Sequence, residues 1–292
     1  MLRLTEIAYA KLNLTLDILG ALPGGYHELC SVMQSVSLAD ILTVTAESGS
    51  GQIEVTTDKS YLPIGEKNLA GRAARVFLNE ADIKDRDIRI DITKNIPVGA
   101  GLGGGSSDAA AVLRGMNRLF GSPFSREKLE EMGAAVGSDV PFCVRCGTVL
   151  AGGRGELMRD IPPFNGGAFV LCKPDFSVST AQLFKMADER EIKVRPDTDG
   201  LITALESNNV RGVAARLYNV FEEVMVRGRA EVKEIRGELF DNGALGASMS
   251  GTGPTVFGVF PDLASAERAA ENMRKSWKIC IPCEPVAKVL SK

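Results

Sequence analysis

A chain of 292 residues, 45% hydrophobic and 24% charged, has ordinary globular composition, and its length points to about two domains rather than one small core. A net charge of −3 offers no basic field to a nucleic acid or an anionic membrane, so neither partner is expected and any phosphate binding must be local. The first twenty residues carry Glu6, Lys11 and Asp17 among their apolar positions; they read as neither signal peptide nor membrane span, and a cytoplasmic location is the expectation.

Over residues 4–19 apolar side chains alternate with small or polar ones, with one change of phase near Lys11, which predicts a strand or a bulged pair of strands. A turn at residues 22–25 leads into GYHEL and a long β-like run through Val32, Val36, Leu38, Leu42 and Val44, and residues 53–57 form a further short strand. The period then changes: Leu69, Ala73, Val76 and Phe77 share one helical face over residues 68–80, before Ile88, Ile90 and Ile92 restore alternation. After a glycine-rich loop a helix is expected over 109–119, capped by Ser106, Ser107 or Asp108, and Ser125 caps another through about Val136. GSDVPF, residues 137–142, is read as returning the chain to strand through Leu150, with the glycine cluster at 152–155 as a boundary between domains 1–155 and 156–292. Beyond it come a strand at 168–173, a helix near 179–187, several helices to about Phe240, a strand, the loop SMSGTGP, a strand at 256–260, a helix at 263–276 and a last strand near Ala287. Strands and helices without a regular βαβ repeat argue for an α+β fold.

Two C-x-x-C pairs, Cys143/Cys146 and Cys280/Cys283, match a zinc spacing on paper. A strand reading of PFCVRCGTVL puts positions three apart on opposite faces, and the second pair encloses a proline, so no metal site is predicted and reduced thiols are expected.

The densest chemical signal is NIPVGAGLGGGSSDAAA, residues 95–111, with Gly99, Gly101, Gly103, Gly104 and Gly105 within seven positions. Glycines admit positive φ and close backbone approach, and the first N–H groups of the following helix lie at the positive end of its dipole, so the stretch is built for an anion such as phosphate. GAGLGG satisfies the dinucleotide pattern G-x-G-x-x-G, but a proline follows the preceding strand and no acidic strand end lies about 20 residues on, which weakens an oxidoreductase reading. No Gly-Lys-Ser/Thr closes a Walker loop. A triphosphate cradle of another kind, or a plain glycine-rich turn, is what the loop alone leaves open.

Three separated segments, AYAKLNLTLDILG at 8–20, IPVGAGLGGGSSDAA at 96–110 and SMSGTGPTVFGVF at 248–260, resemble the three motifs of the GHMP kinase superfamily in order and approximate spacing. With GYHEL, GSDVPF, GTVLAGGRGE and STAQLF added, the chain is similar to the branch that phosphorylates the 2-hydroxyl of a cytidyl diphosphate-linked methylerythritol. The resemblance implies a two-domain α+β GHMP kinase fold, with a ribosomal-protein-like N-terminal and a ferredoxin-like C-terminal domain, an active site in the cleft between them, and ATP with Mg2+ as cofactors. It implies Lys11 and Asp139 at the chemistry. Asn68 and Lys94 match positions lining the adenosine site, and Pro97, Gly99, Gly101, Gly103, Gly104, Gly105, Ser106 and Ser107 belong to the phosphate loop. It further implies that Asn13 and His27 bond the cytosine, that Tyr26 and Phe184 stack on it, and that Ser250, Gly251 and Thr252 approach the substrate's phosphates. Thr252 and Pro254 depart from the usual third motif, and the proline removes one N–H donor. Taken singly, Asp139 reads as a cap, Lys11 as a solvated strand residue, His27 as a turn histidine and Asp108 as a cap. Rivals are a homoserine- or mevalonate-type small-alcohol kinase and a non-catalytic nucleotide-binding protein.

Overall fold

The alternating N-terminus makes two strands, β1 (Leu2–Asn13) and β2 (Thr15–Leu22), and the long apolar run makes β3 (Tyr26–Ser48), in a computed structural model that describes residues 1–225 and 228–287. The chain forms two compact units interleaved in sequence: a first built from residues 1–10, 38–98 and 103–146, and a second from 11–37, 99–102 and 147 onward.

In the first unit, β4 (Ile53–Thr57) and β5 (Arg86–Thr93) pair in parallel, and β5 runs antiparallel to the C-terminal half of β3 from Ile41↔Thr93 to Ser48↔Arg86. Four helices follow the same stretch: α1 (Leu69–Glu80), α2 (Gly104–Leu119), α3 (Arg126–Val136) and α4 (Val140–Arg145). Asn68 and Ser125 accept backbone N–H groups at the starts of α1 and α3, as good N-caps do. Ala73, Ala74 and Phe77 of α1 and Ala109 to Leu113 of α2 are fully buried, so small residues let the two helices approach closely.

The second unit pairs the N-terminal half of β3 with β2 and with β6 (Thr148–Gly152), which turns back through the 152–155 glycines into β7 (Leu157–Asp160). Next come β8 (Ala168–Lys173), α5 (Thr180–Asp188), α6 (Thr198–Glu206), α7 (Val210–Ala214) and β9 (Tyr218–Asn219), the last parallel to β2. After α8 (Phe221–Val224) and α9 (Arg229–Asp241), β10 (Gly246–Met249), β11 (Val256–Phe260), α10 (Leu263–Met273) and β12 (Ile279–Cys283) complete an antiparallel sheet of order β10-β11-β8-β12. One face of that sheet buries Val170, Phe260, Ile235, Leu239 and Met273 in a common core with Leu16 and Ile18 of β2.

Three sequence expectations are corrected. Residues 140–145 are the helix α4, not strand: Pro141 sits in the first turn, where its missing N–H costs nothing, and Cys146 and Gly147 at φ 56° and 85° end the helix. The strand argument against zinc therefore fails at Cys143 and Cys146, although no cluster of three or more His, Cys, Asp or Glu that would hold a metal exists among the described residues. Among the described residues the last strand is β12 and 284–287 are not strand; the rest of the stretch expected near Ala287 lies outside the described residues. The third correction concerns the start of α2. No helix among the described residues is long and apolar enough to cross a membrane.

Candidate active site

Helix α2 begins at Gly104, five residues before the expected Ala109, with Gly103 as N-cap at φ 70° and no side-chain cap. None of the three predicted caps is used as one. The Ser107 hydroxyl donates to Tyr9 O at 2.6 Å, and the Asp108 carboxylate accepts from Lys94 Nζ at 2.6 Å, so both residues tie the helix to the strands beneath it. The Ser107 N–H makes the first helical bond, to Gly103 O at 2.8 Å, which leaves the amides of Gly104, Gly105 and Ser106 pointing out of an uncapped, electropositive helix end. The Ser106 hydroxyl has no hydrogen-bond partner among the described residues. An open helix start of this kind is suited to an anion such as phosphate.

Lys94 is not a solvent-facing cation. Its ammonium, buried with the rest of the residue, bonds Asp40 Oδ2 as well as Asp108 Oδ2, and Asp40 Oδ1 accepts the backbone N–H groups of Asn95 at 2.6 Å and Ile96 at 2.8 Å. Burial opposes the charge on Lys94, but the carboxylates of Asp108 and Asp40 outweigh it and hold the amine above the ordinary lysine range. Burial pushes Asp108 up to about 7; the like charge of Asp40 acts in the same sense and Lys94 opposes both. Asp108 Oδ1 is buried without a partner. A folded value raised from 3.8 to about 7 means that Asp108 stabilises the fold below about pH 4 and that this contribution is lost as pH rises through 7. Asp108→Asn is therefore expected to lose less stability than the parent as pH rises from 5 to 8, read as the difference in urea midpoints across that range.

Asn68 spends its side chain on structure, accepting from Ala70 N and donating to Pro63 O, both at 3.0 Å. Asp139 is the N-cap residue of α4, and its side chain makes no cap hydrogen bond to that helix.

In the second unit, Lys11 is 5% exposed rather than solvated, and its Nζ donates to Asn13 Oδ1 at 2.7 Å. Asn13 Nδ2 donates in turn to Ser31 Oγ at 2.8 Å, and Ser31 to Thr15 O at 2.6 Å. The third motif closes over this row: Ser250 Oγ donates to Gly101 O at 3.0 Å, and a side chain at Gly251 would come within 3.1 Å of Lys11 Nζ. Asn219 supports the loop, its Nδ2 donating to Met249 O and Gly251 O, both at 2.7 Å. Thr252, the unusual residue of the motif, bonds Thr180 Oγ1 at 2.9 Å at the start of α5. Further along, the His27 ring stacks on Phe184 with centroids 4.6 Å apart, and its Nε2 lies 2.7 Å from Asp188 Oδ1. Tyr26 is half exposed, with the Arg154 guanidinium over its ring.

The expected site residues divide between the two units. Asn68, Lys94, Gly103 to Ser107 and Asp139 belong to the first; Lys11, Asn13, Tyr26, His27, Gly99, Gly101, Phe184, Ser250, Gly251 and Thr252 to the second, and Pro97 falls just inside the first. Sequence reasoning missed Asp40, Asn219 and Asp188, which act through others. None of the three carried a signal in the sequence alone; Asp40 meets Lys94 only once β3 and β5 are aligned, one step beyond the Ile41↔Thr93 pair.

The family models for the GHMP kinases N terminal domain and the GHMP kinases C terminal match residues 68–147 and 201–279. The chain is 42% identical over 270 residues to 4-diphosphocytidyl-2-C-methyl-D-erythritol kinase of Clostridium novyi, covering 92% of this chain and 95% of that one. Among solved structures, a 4-(cytidine 5'-diphospho)-2C-methyl-D-erythritol kinase superposes with a TM-score of 0.79 at 32% identity, over 97% of this chain and 99% of that one. Homoserine kinase from Cytophaga hutchinsonii, at TM-score 0.76 and 20% identity, covers 99% and 96% and shares the fold.

Proposed function

We infer the reaction from the premise that this chain belongs to the GHMP kinases: it is an ATP-dependent kinase that phosphorylates the 2-hydroxyl of 4-diphosphocytidyl-2-C-methyl-D-erythritol, a step in non-mevalonate isoprenoid precursor synthesis. The structural observation that supports it best is the uncapped start of α2, whose three outward amides suit an incoming triphosphate. Phosphoryl transfer needs positioning and charge stabilisation more than covalent chemistry. Lys11, held by Asn13 with its amine beneath the third motif, supplies a fixed cation for the transferring group. Asp139 accepts or orients the proton of the attacking hydroxyl. Tyr26, Phe184 and His27 supply aromatic surface and a ring nitrogen for the cytosine; a base stacked on such a ring gains about 1–3 kcal/mol.

Mg2+ takes most of its ligands from phosphates and water, so the lack of an acidic cluster among the described residues suits a metal carried in on the nucleotide. The hydroxyl of Ser106 at the helix start is the side chain that would hold it. When bound it screens charge on the transferring phosphates. The net charge of −3 and the metabolic substrate support a cytoplasmic enzyme.

The test is ADP release by purified protein with ATP and Mg2+ against the cytidyl substrate, homoserine and mevalonate in parallel. Turnover is expected with the first alone; activity only with either of the others would replace the substrate assignment, and none with any would favour a nucleotide-binding protein.

A further inference from the structure

The antiparallel register that pairs Ile41 with Thr93 continues by one step to set Asp40 opposite Lys94, where β5 ends and the glycine loop begins. At that point the strand ladder stops supplying acceptors, and the next two amides, of Asn95 and Ile96, turn instead onto a single oxygen, Asp40 Oδ1. The other oxygen takes the ammonium of Lys94, which also reaches Asp108 in the second turn of α2. The same amine lies 3.4 Å from where a side chain on Gly104 would begin, directly under the first residue of the helix. Asn95 adds a bond from its Nδ2 to Ala39 O at 2.9 Å, and the Lys94 amide donates to Asp58 Oδ1 at 2.9 Å. Both ends of the loop are thus gripped from one place. Asp40 is wholly buried, and a buried ion cluster rarely stabilises a fold better than apolar residues of the same volume. What a carboxylate does here, and an apolar side chain would not, is fix the path of two backbone amides.

We propose that Asp40 is a positioning residue for the nucleotide: through Lys94, Asp108 and the amides of Asn95 and Ile96 it sets the geometry of the phosphate loop before ATP arrives. This rests on the reading of that loop as the ATP site. Asp40 touches no substrate and acts only through the backbone it holds. Preorganisation of this kind saves the ordering cost that binding would otherwise meet.

Asp40→Asn keeps the shape but cannot serve two amides and an ammonium with its one remaining oxygen. The experiment compares steady-state kinetics of this variant with the parent and adds ADP titration by calorimetry. The expected result is a KM for ATP and a Kd for ADP each raised about tenfold, with KM for the cytidyl substrate within twofold. Equal rises in both KM values would reduce Asp40 to general structural support and overturn the proposal, as would an unchanged KM for ATP. If the parent itself bound no ADP, the ATP reading would fail instead. Should the variant not fold, hydrogen exchange on the nucleotide-free parent decides: amides of Asn95 and Ile96 are expected to be protected as strongly as those of β5, and exchange at the rate of an open loop would refute the clamp.

Discussion

Asp139→Asn is expected to lower kcat by about 10²–10⁴-fold, the usual contribution of a positioned general base, while KM for ATP stays within a few-fold. The substitution keeps the size of the side chain, and the carboxylate makes no cap hydrogen bond to α4 that it would remove. Asparagine preserves shape and can still orient a hydroxyl, but it cannot take the proton. A loss of less than tenfold would therefore assign Asp139 to orientation, and near-normal turnover would take it out of the chemistry. Steady-state rates across ATP and cytidyl substrate concentrations, with binding of a non-hydrolysable ATP analogue, make the measurement.

Gly101→Ala is the second large effect. Gly101 has φ 75°, and a Cβ there would overlap the carbonyl oxygen of Ser250 and come to 3.0 Å from both N and O of Gly253. All three atoms are backbone, so no flexible side chain can move aside. The left-handed conformation alone costs an alanine about 1–2 kcal/mol, and the overlap forces the third motif away from the loop. Stability is expected to fall by about 3 kcal/mol or more, and kcat/KM by at least a hundredfold. Gly99→Ala is the control: φ is 61° there too, but the nearest atom to a Cβ is Ser177 Oγ at 3.6 Å, so only the conformational cost applies. Matched denaturation midpoints for the two variants would show that Gly101 is present for its own dihedrals and not for the third motif.

That comparison also marks how far the sequence could be read. The glycine run was legible as an anion site, but not the division of labour within it, because spacing cannot tell a glycine that faces a ligand from one that faces a neighbouring backbone. Alternation at Ile88, Ile90 and Ile92 and the cap at Ser125 placed β5 and α3 to the residue or nearly so, since one buried face and one good cap leave little freedom. The start of α2 was misjudged because Ser106, Ser107 and Asp108 are strong capping types, whereas here Ser107 and Asp108 are spent on Tyr9 and Lys94. At α4 an apolar run masked the better signal, a proline near the start and Cys-Gly at the end. Asn219 was invisible: it lies in the stretch with the fewest motif residues and acts by two bonds to backbone more than 25 positions away.

The interleaving of the two units has a consequence for synthesis. Residues 11–37, which carry Lys11 and Asn13, leave the ribosome long before their sheet partners β6 and β9, whereas everything the first unit needs has emerged once residue 146 is out. A chain growing at about 5–20 residues per second therefore holds the β2–β3 hairpin without its outer partners β6 and β9 for several seconds, while all residues of the first unit are already present. The supports of the glycine loop in the first unit can form early, and Lys11 finds Asn13 within its own strand, but the third motif that lies over that lysine arrives only with the carboxyl-terminal half.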